Sequence, residues 1–351
     1  MGLAPPCGLG TLVKGTVMSW TSRLLGVVAF NLAMLFVVGC QQPRQTPLVS
    51  DLPPLTGDLP SQARQVVLDG LADPDPQIRA NAVEVIATTK EVRLMPKAQR
   101  LLEDQAIPVK FIAVLAVGDL QYTLAKDEIG RLLSDPNPNI KIAAAYAMSK
   151  LGQAEYFKVF RNAVTSEDQT VRANAALLLG KSGQKEALRV LWWALRQPDS
   201  TDKVVLQAAE SIAALQDERI YPKLWSRLIS AYADDRVLGI RAMGALGTEQ
   251  AKNAIITMLD DNIPEVRLTA AAQLGRLGEP IGEARVAEVF EKNLLAGMDA
   301  DGQQRVKVLA ALAIGEIGTE GLTKHLPQLL HDSSKSVRLA AARAILRQAA
   351  K

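Results

Sequence analysis

A basic side chain returns along this sequence at an interval that a single globular core would not impose. Aligning the segments on that residue gives Arg79, Lys110, Lys141, Arg172, Val205, Arg236, Arg267, Lys307 and Arg338, spaced by 31, 31, 31, 33, 31, 31, 40 and 31 residues. A fixed period of this length marks a stack of like units, each burying its apolar face only against its neighbours. Six residues before each basic position lie Asp73, Asp104, Asp135, Ser166, Asp199, Ser230, Asp261, Asp301 and Asp332. Their side-chain oxygens can accept an otherwise unpaired amide hydrogen, so each is read as the cap that starts a helix.

The rest of the unit follows from the same alignment. Three residues after the basic position come Ala82, Ala113, Ala144, Ala175, Ala208, Gly239, Ala270, Ala310 and Ala341, small throughout, which lets neighbouring helices approach closely. Four residues further lie Ile86, Val117, Met148, Leu179, Ile212, Met243, Leu274, Ile314 and Ile345, and this spacing marks a buried helix face. The glycine pairs Gly180 and Gly183, Gly244 and Gly247, Gly275 and Gly278, and Gly315 and Gly318 then end the helix, because the second of each sits where positive φ is needed. A second amphipathic helix follows, as over 185–196 with Leu188, Leu191, Trp192 and Leu195 on one face. The predicted fold is therefore all-α: a right-handed α-solenoid of about nine helical hairpins, each of about 31 residues.

The consensus, Asp-x4-Val-Arg-x2-Ala-Ala-x3-Leu-Gly-x-Leu-Gly, resembles the short HEAT-like repeats first grouped with phycobilisome lyases, and the resemblance spans residues 61–351. It departs from the pattern at Val205, at Asp235 in place of an aliphatic residue, and in the nine extra residues between Arg267 and Lys307. The resemblance implies a structural ladder between adjacent repeats, built from Asp73, Arg79, Asp104, Lys110, Asp135, Lys141, Arg172, Asp261, Arg267, Asp301, Lys307, Asp332 and Arg338. Val205 predicts a local irregularity in curvature. Residues 61–71 read as a lone helix at the first edge, and Arg343 and Arg347 read as the charged face of a last repeat with no neighbour. With helices ~9 Å apart the expected shape is a curved rod ~80 Å long, its concave side lined by the second helices. In such a stack Leu274→Ala or Ile314→Ala is expected to loosen the C-terminal repeats before the others.

Ahead of the repeats the chain carries an address. Residues 24–38 are apolar except for Asn31, with Arg23 before them and Gly39-Cys40 after. This run spans ~22 Å as a helix, shorter than a bilayer core and typical of a signal peptide. Val37-Val38-Gly39-Cys40 resembles the lipobox of bacterial lipoproteins, which implies cleavage at residue 39, lipid (palmitate) on Cys40, and a chain with no free thiol. Pro5 and Pro6 precede any basic residue, so Met18 fits better as the true start. By the same resemblance Gln41 favours the periplasmic side of the outer membrane. Residues 40–60, with Pro43, Pro47, Pro53, Pro54 and Pro60, read as a tether.

Composition narrows the function. Forty Lys and Arg against 37 Asp and Glu give +3, too little excess to neutralise a phosphate backbone, so nucleic acid is not an expected partner. Two histidines and two cysteines leave little for a metal centre, and no cofactor or catalytic residue is expected. Gly180-Lys181-Ser182 ends like a P-loop, but a helix precedes it. His325 and His331 are out of alignment on a helix and read as solvent-facing. Asp299-Ala300-Asp301-Gly302 is similar to an EF-hand fragment, with Gly297 and Val308 in place of ligands.

Aromatic residues crowd the central repeats: Tyr146, Tyr156, Phe157, Phe160, Trp192, Trp193, Tyr221, Trp225 and Tyr232. Phe157, Phe160 and Trp192 lie at inward spacing. Trp193, ~100° around the helix from Trp192, cannot share that direction. Trp193, Trp225 and their counterpart Arg161 are the candidate partner-binding residues. The expected function is a membrane-tethered, non-enzymatic scaffold that binds another protein in the cell envelope through the concave face. The alternative that the resemblance leaves open is a phycobilin-lyase-type enzyme holding a tetrapyrrole in the same fold.

Overall fold

The computed structural model describes residues 57–292 and 294–350; the leader, Met18, Cys40 and most of the tether lie outside them. After α1 (Leu59–Leu71) come eight hairpins. They are α2 (Pro76–Thr89) with α3 (Met95–Ala98), α4 (Ile107–Asp119) with α5 (Lys126–Leu132), α6 (Pro138–Lys150) with α7 (Phe157–Ala163), and α8 (Gln169–Ser182) with α9 (Leu188–Arg196). Then follow α10 (Asp202–Ala214) with α11 (Tyr221–Leu228), α12 (Ala233–Leu246) with α13 (Glu249–Thr257), α14 (Pro264–Arg276) with α15 (Glu283–Glu291), and α16 (Ala300–Ile317) with α17 (Glu320–Thr323) and α18 (Leu326–Leu330). The last described helix is α19 (Lys335–Ala349).

The first helices pack side by side in chain order, from α2 on α4 through to α16 on α19. The row then closes, because α19 packs on both α1 and α2. Lys335 on α19 pairs with Asp73 at 2.6 Å and Arg343 with Glu84 at 3.7 Å, across the seam. Helix α1 stands where the second helix of α19 would stand, so the ninth hairpin is assembled from the two ends of the repeat domain. The expected open rod is thus replaced by a ring. Residues 61–71 form a closing helix rather than a free edge, and Arg343 and Arg347 reach Glu84 and Glu316 instead of facing solvent beyond a last repeat.

Curvature comes from a wedge shape. The first helices carry the small residues, and Ala82, Ala113, Ala144, Ala175, Ala208, Ala270, Ala310 and Ala341 are all buried. At some joints the backbones nearly touch: a Cβ on Gly180 would lie 2.7 Å from Ser211 Cβ, and one on Gly315 would lie 2.8 Å from Ala344 Cα. The second helices carry the bulky Phe160, Leu191, Leu195, Leu224 and Leu228, and so hold the outer edge apart. Closing nine joints requires ~40° at each, and the first helices therefore line the inside of the ring. This reverses the expected lining of the concave side, since the thin edge of a wedge must face the centre.

The ladder runs around the ring. Arg79 donates to both oxygens of Asp104 at 2.7 and 2.9 Å, and Arg236 to both oxygens of Asp261 at 2.7 and 2.9 Å. Lys110 pairs with Asp135 at 3.3 Å, Arg172 with Asp199 at 3.0 Å and Lys307 with Asp332 at 2.8 Å. Each ladder arginine also fixes its own turn: Arg267 Nη1 donates to the Asp261 carbonyl and Arg338 Nη1 to that of Asp332, both at 2.7 Å, and Arg79, Arg172 and Arg236 likewise donate to the carbonyls of Asp73, Ser166 and Ser230. The aspartates are not the helix caps. Asp73, Asp104, Asp135, Asp261 and Asp332 each accept the amide two residues on, at 2.8 to 2.9 Å, closing an Asx turn one step ahead of the helix. In four repeats the side-chain cap lies two residues further on, at Asp75, Asn137, Asp168 and Ser334.

Where the pattern departs, the ladder changes. Lys141, whose counterpart in the next repeat is Ser166, is exposed. At the Val205 joint Gln216 Nε2 donates to the Ala245 carbonyl at 2.8 Å. The nine-residue insertion shifts the start of α16, so Asp299 caps it, accepting Gly302 N at 2.7 Å, and Asp301 falls inside the first turn, exposed. Glu265 instead meets Arg305 across that joint at 3.4 Å.

Candidate functional site

Two surfaces carry unusual side chains. The first is the lumen. On the first helices, residues five and nine positions after the ladder residue point toward the centre, which places Glu84, Glu210, Arg241 and Arg343 in one layer and Arg276, Glu316 and Arg347 in the next. Nine helices at ~9 Å spacing give a ring radius of ~13 Å, and the helices' own thickness leaves a channel ~15 Å across before long side chains fill it. The free space among these residues other than Arg347, together with Gln273 and Thr269, is about 150 Å³.

The charges there are largely paired. Arg241 meets Glu210 at 3.6 Å, Arg343 meets Glu84 at 3.7 Å and Glu316 at 3.8 Å, and Arg347 meets Glu316 at 2.6 Å. Arg276 is different: no carboxylate among the described residues stands within ion-pairing distance of it. Loss of solvation in the crowded ring draws its pKa below the ordinary arginine value; Glu316 opposes this and Arg241 reinforces it. Its side chain still opens to water at the channel. Among the buried polar atoms beside the lumen, Gln273 Oε1 and Arg347 Nε have no hydrogen-bond partner. At the opposite side of the ring the matching positions are filled by Leu115, Tyr146 and Leu177, all buried. There Tyr146 donates to Asp119, and Lys181 on α8 reaches Asp119 on α4 at 2.8 Å, spanning α6. The sequence signal for the lumen was present in the five- and nine-residue offsets, but without ring closure these charges look like any solvated helix face.

The second surface is the outer wall. Trp193 on α9 is 38% exposed, with the Arg172 guanidinium 5.7 Å from its ring centre. Trp225 on α11 is 40% exposed and stacks on Tyr221 at 6.3 Å. Val159, Ile229 and Tyr232 are exposed on the same stretch of wall, and Arg161 on α7 is exposed. The candidate residues therefore stand on the outside of the ring, not in a concave groove. Phe160 is fully buried against Tyr146 and Phe157, as its inward spacing requires. Trp192 is only half-buried: its Nε1 donates to Asp217 at 2.9 Å, and Arg196 and Arg219 lie 4.8 and 5.8 Å from its ring centre.

Asp217 is the strongly shifted acid of this region, held down at about 2, first by the Arg219 side chain and then by the Trp192 indole and the Arg219 amide, against the opposing effect of burial. A depressed folded-state value means that its stabilisation is complete above the ordinary carboxylate range and is lost as pH falls from ~4 through the folded value. Tryptophan fluorescence should therefore change between about pH 4 and 2 as the Trp192 bond breaks, and Asp217→Asn should remove that transition.

His325 departs from its expected solvent-facing role. It stacks on Phe290 at 4.1 Å, and desolvation, then Lys324, lowers its pKa. His331 is exposed, its Nδ1 2.8 Å from the Pro327 carbonyl oxygen. Among the described residues no group of three His, Cys, Asp or Glu side chains is placed to hold a metal, and no helix is long and apolar enough to cross a membrane.

A family model of HEAT repeats matches residues 94–168, 127–214 and 157–238, overlapping stretches of one array. No curated protein sequence matches the chain. Among solved structures it is similar to the CpcE and CpcF complex of phycocyanin lyase from Nostoc sp. PCC7120, at 19% identity over 77% of this chain and 98% of that one, with a TM-score of 0.44. It is similar also to human deoxyhypusine hydroxylase in complex with glycerol, at 19% identity over 76% and 98%, with a TM-score of 0.36. An engineered protein matches at 16% identity over 83% and 92%, with a TM-score of 0.30.

Proposed function

We propose that this protein is a non-enzymatic scaffold of the bacterial cell envelope, tethered to a membrane by lipid on Cys40, that binds another protein on the outer wall of its ring. The observation that carries the reading is the run of exposed Trp193, Trp225, Ile229 and Tyr232 on neighbouring outer segments. Exposed tryptophans, Trp193 beside the Arg172 guanidinium and Trp225 stacked on Tyr221, combine a large apolar face with a polar edge, the combination that anchors protein interfaces. A channel ~15 Å wide before its side chains are counted excludes a folded partner, so docking falls to the outside. The tether rests on the apolar run 24–38 followed by Gly39-Cys40.

Affinity capture from membrane extract tests both parts. Trp193→Ala should weaken capture by ~2 kcal/mol, roughly thirtyfold in Kd, while barely moving the melting temperature. Cys40→Ser should leave a soluble or uncleaved product without palmitate label, because among the described residues no helix is long and apolar enough to hold the chain in a membrane. Normal capture by a Trp193→Ala protein that melts early would make the aromatic row packing only. A visible absorbance band after incubation with bilin would favour the lyase-type reading instead.

A further inference from the structure

We infer that the lumen is a binding site for a small oxyanion that carries its own hydrogen-bond donor, such as a short hydroxy- or amino-carboxylate or a phosphate monoanion, held by Arg276. Three observations carry this. Around this cavity stand four arginines, Arg241, Arg276 and Arg343 in its lining and Arg347 against Glu316, facing three lining carboxylates, Glu84, Glu210 and Glu316, which leaves one positive charge in excess on this side of the ring. That excess falls on Arg276, the lumen arginine with no carboxylate at ion-pairing distance, while the others are tied to Glu210, Glu84 and Glu316. A planar guanidinium with five donors presents the fork that a carboxylate or phosphate edge takes up in two parallel bonds.

The second requirement, a donor on the ligand, comes from the neighbouring wall. Gln273 Oε1 is a buried acceptor with no partner, and Arg347 Nε is a buried donor with none. Gln273 lies one helical turn before Arg276 on α14 and lines the same space, whereas Arg347 on α19 is two joints away, against Glu316. An oxyanion on Arg276, with a hydroxyl, ammonium or acidic P–OH toward Gln273, would satisfy both lining groups at once. The size agrees. Free space of about 150 Å³ matches a ligand of about six heavy atoms, the scale of an apolar cavity that takes benzene. The wall around it has mixed sign, so a large polyanion would meet Glu84, Glu210 and Glu316, whereas a single negative charge restores the balance.

The experiment uses the full repeat protein at constant ionic strength, since screening alone alters arginine clusters. Titration calorimetry and thermal melting are run with lactate, inorganic phosphate, acetate and chloride, on the wild type and on Arg276→Gln. Binding of lactate or phosphate well above acetate and chloride, weakened about tenfold or more in Arg276→Gln, is the expected result. Lactate alone identifies a carboxylate ligand and phosphate alone a phosphate ligand. Arg276 makes no ion pair, so Arg276→Gln should melt like the wild type in the absence of ligand; Arg276→Lys, which keeps the charge but loses the fork, should bind weakly. Equal responses to all four anions, or wild-type binding by Arg276→Gln, would overturn the inference. Neither result depends on protein capture by the outer wall, which Trp193→Ala reads separately.

Discussion

Deleting residues 57–71 should open the ring and abolish its cooperative melting. Helix α1 buries Ala63, Val66, Val67 and Leu71 in the groove between α19 and α2. At ~1.5 to 3 kcal/mol for each large apolar side chain removed from water, Val66, Val67 and Leu71 together contribute ~5 to 9 kcal/mol, comparable with the whole stability of a typical domain. The partner surfaces left behind, including Leu339 and Ala82 beside Gly70, would face water. Scattering should show an expanded particle, and hydrogen exchange should show protection lost first in α19 and α2. Lys335→Ala is the contrasting mild variant: its pair with Asp73 lies on a half-exposed surface and should cost under ~1 kcal/mol. In the intact ring Leu274→Ala should still cost ~2 to 4 kcal/mol, but without the preferential C-terminal loosening that an open stack would show, because every inner helix has two neighbours. A truncated chain with unchanged scattering and melting would mean that closure adds little.

The repeat and its ladder were readable from the sequence because both depend on local spacing. Arg79 finds Asp104 and Arg236 finds Asp261 through the same short step in every regular unit, so an alignment on one basic residue locates both members of each pair. The small residue three positions later was also legible as a close approach. Ring closure was not, because it depends on the angle at each joint. An angle of ~40° differs from a gentler one only through which helix carries bulk, and the buried alanines of the inner helices and the Phe160, Leu191 and Leu224 of the outer ones had to be compared across the two faces of each hairpin. The missed closure then misassigned everything that depends on it: the side lined by the first helices, the partners of Arg343 and Arg347, and the lumen charges. Trp193 was correctly expected to point away from the core, since a 100° step is local, while its location on the convex wall followed the error in curvature. Asp301 was misread for a simpler reason: the insertion before it breaks the six-residue offset, and Asp299 sits at the helix start.

The ladder should prove the most sensitive polar element of the ring, and Asp261→Ala its most damaging single change. Asp261 performs two tasks with two oxygens. Oδ1 accepts the Ile263 amide at 2.9 Å and Arg236 Nη2 at 2.9 Å, while Oδ2 accepts Arg236 Nε at 2.7 Å. Both side chains are about nine-tenths buried. Alanine would leave a buried guanidinium without its counter-ion, a situation that typically costs ~3 to 5 kcal/mol, and would free the turn that sets the entry of α14. Asp135→Ala should cost less, because Lys110 makes one contact at 3.3 Å and its ammonium can turn toward water. The double variant Arg236→Met with Asp261→Ala separates two effects: it removes the stranded charge, so the part of the loss that returns measures the cost of leaving the guanidinium unpaired, and the part that stays measures the Asx turn together with the net worth of the ion pair. Acid should reproduce the effect through Asp104. Burial pushes its pKa up, but the Arg79 bonds and the Ala106 amide together hold it below the ordinary carboxylate value. Its contribution is therefore full above about pH 4 and declines as pH falls through the lowered value, and Asp104→Asn should flatten that decline. Urea melts across this range are the measurement, and an Asp261→Ala protein within ~1 kcal/mol of the wild type would show that apolar packing alone sets the joints of the ring.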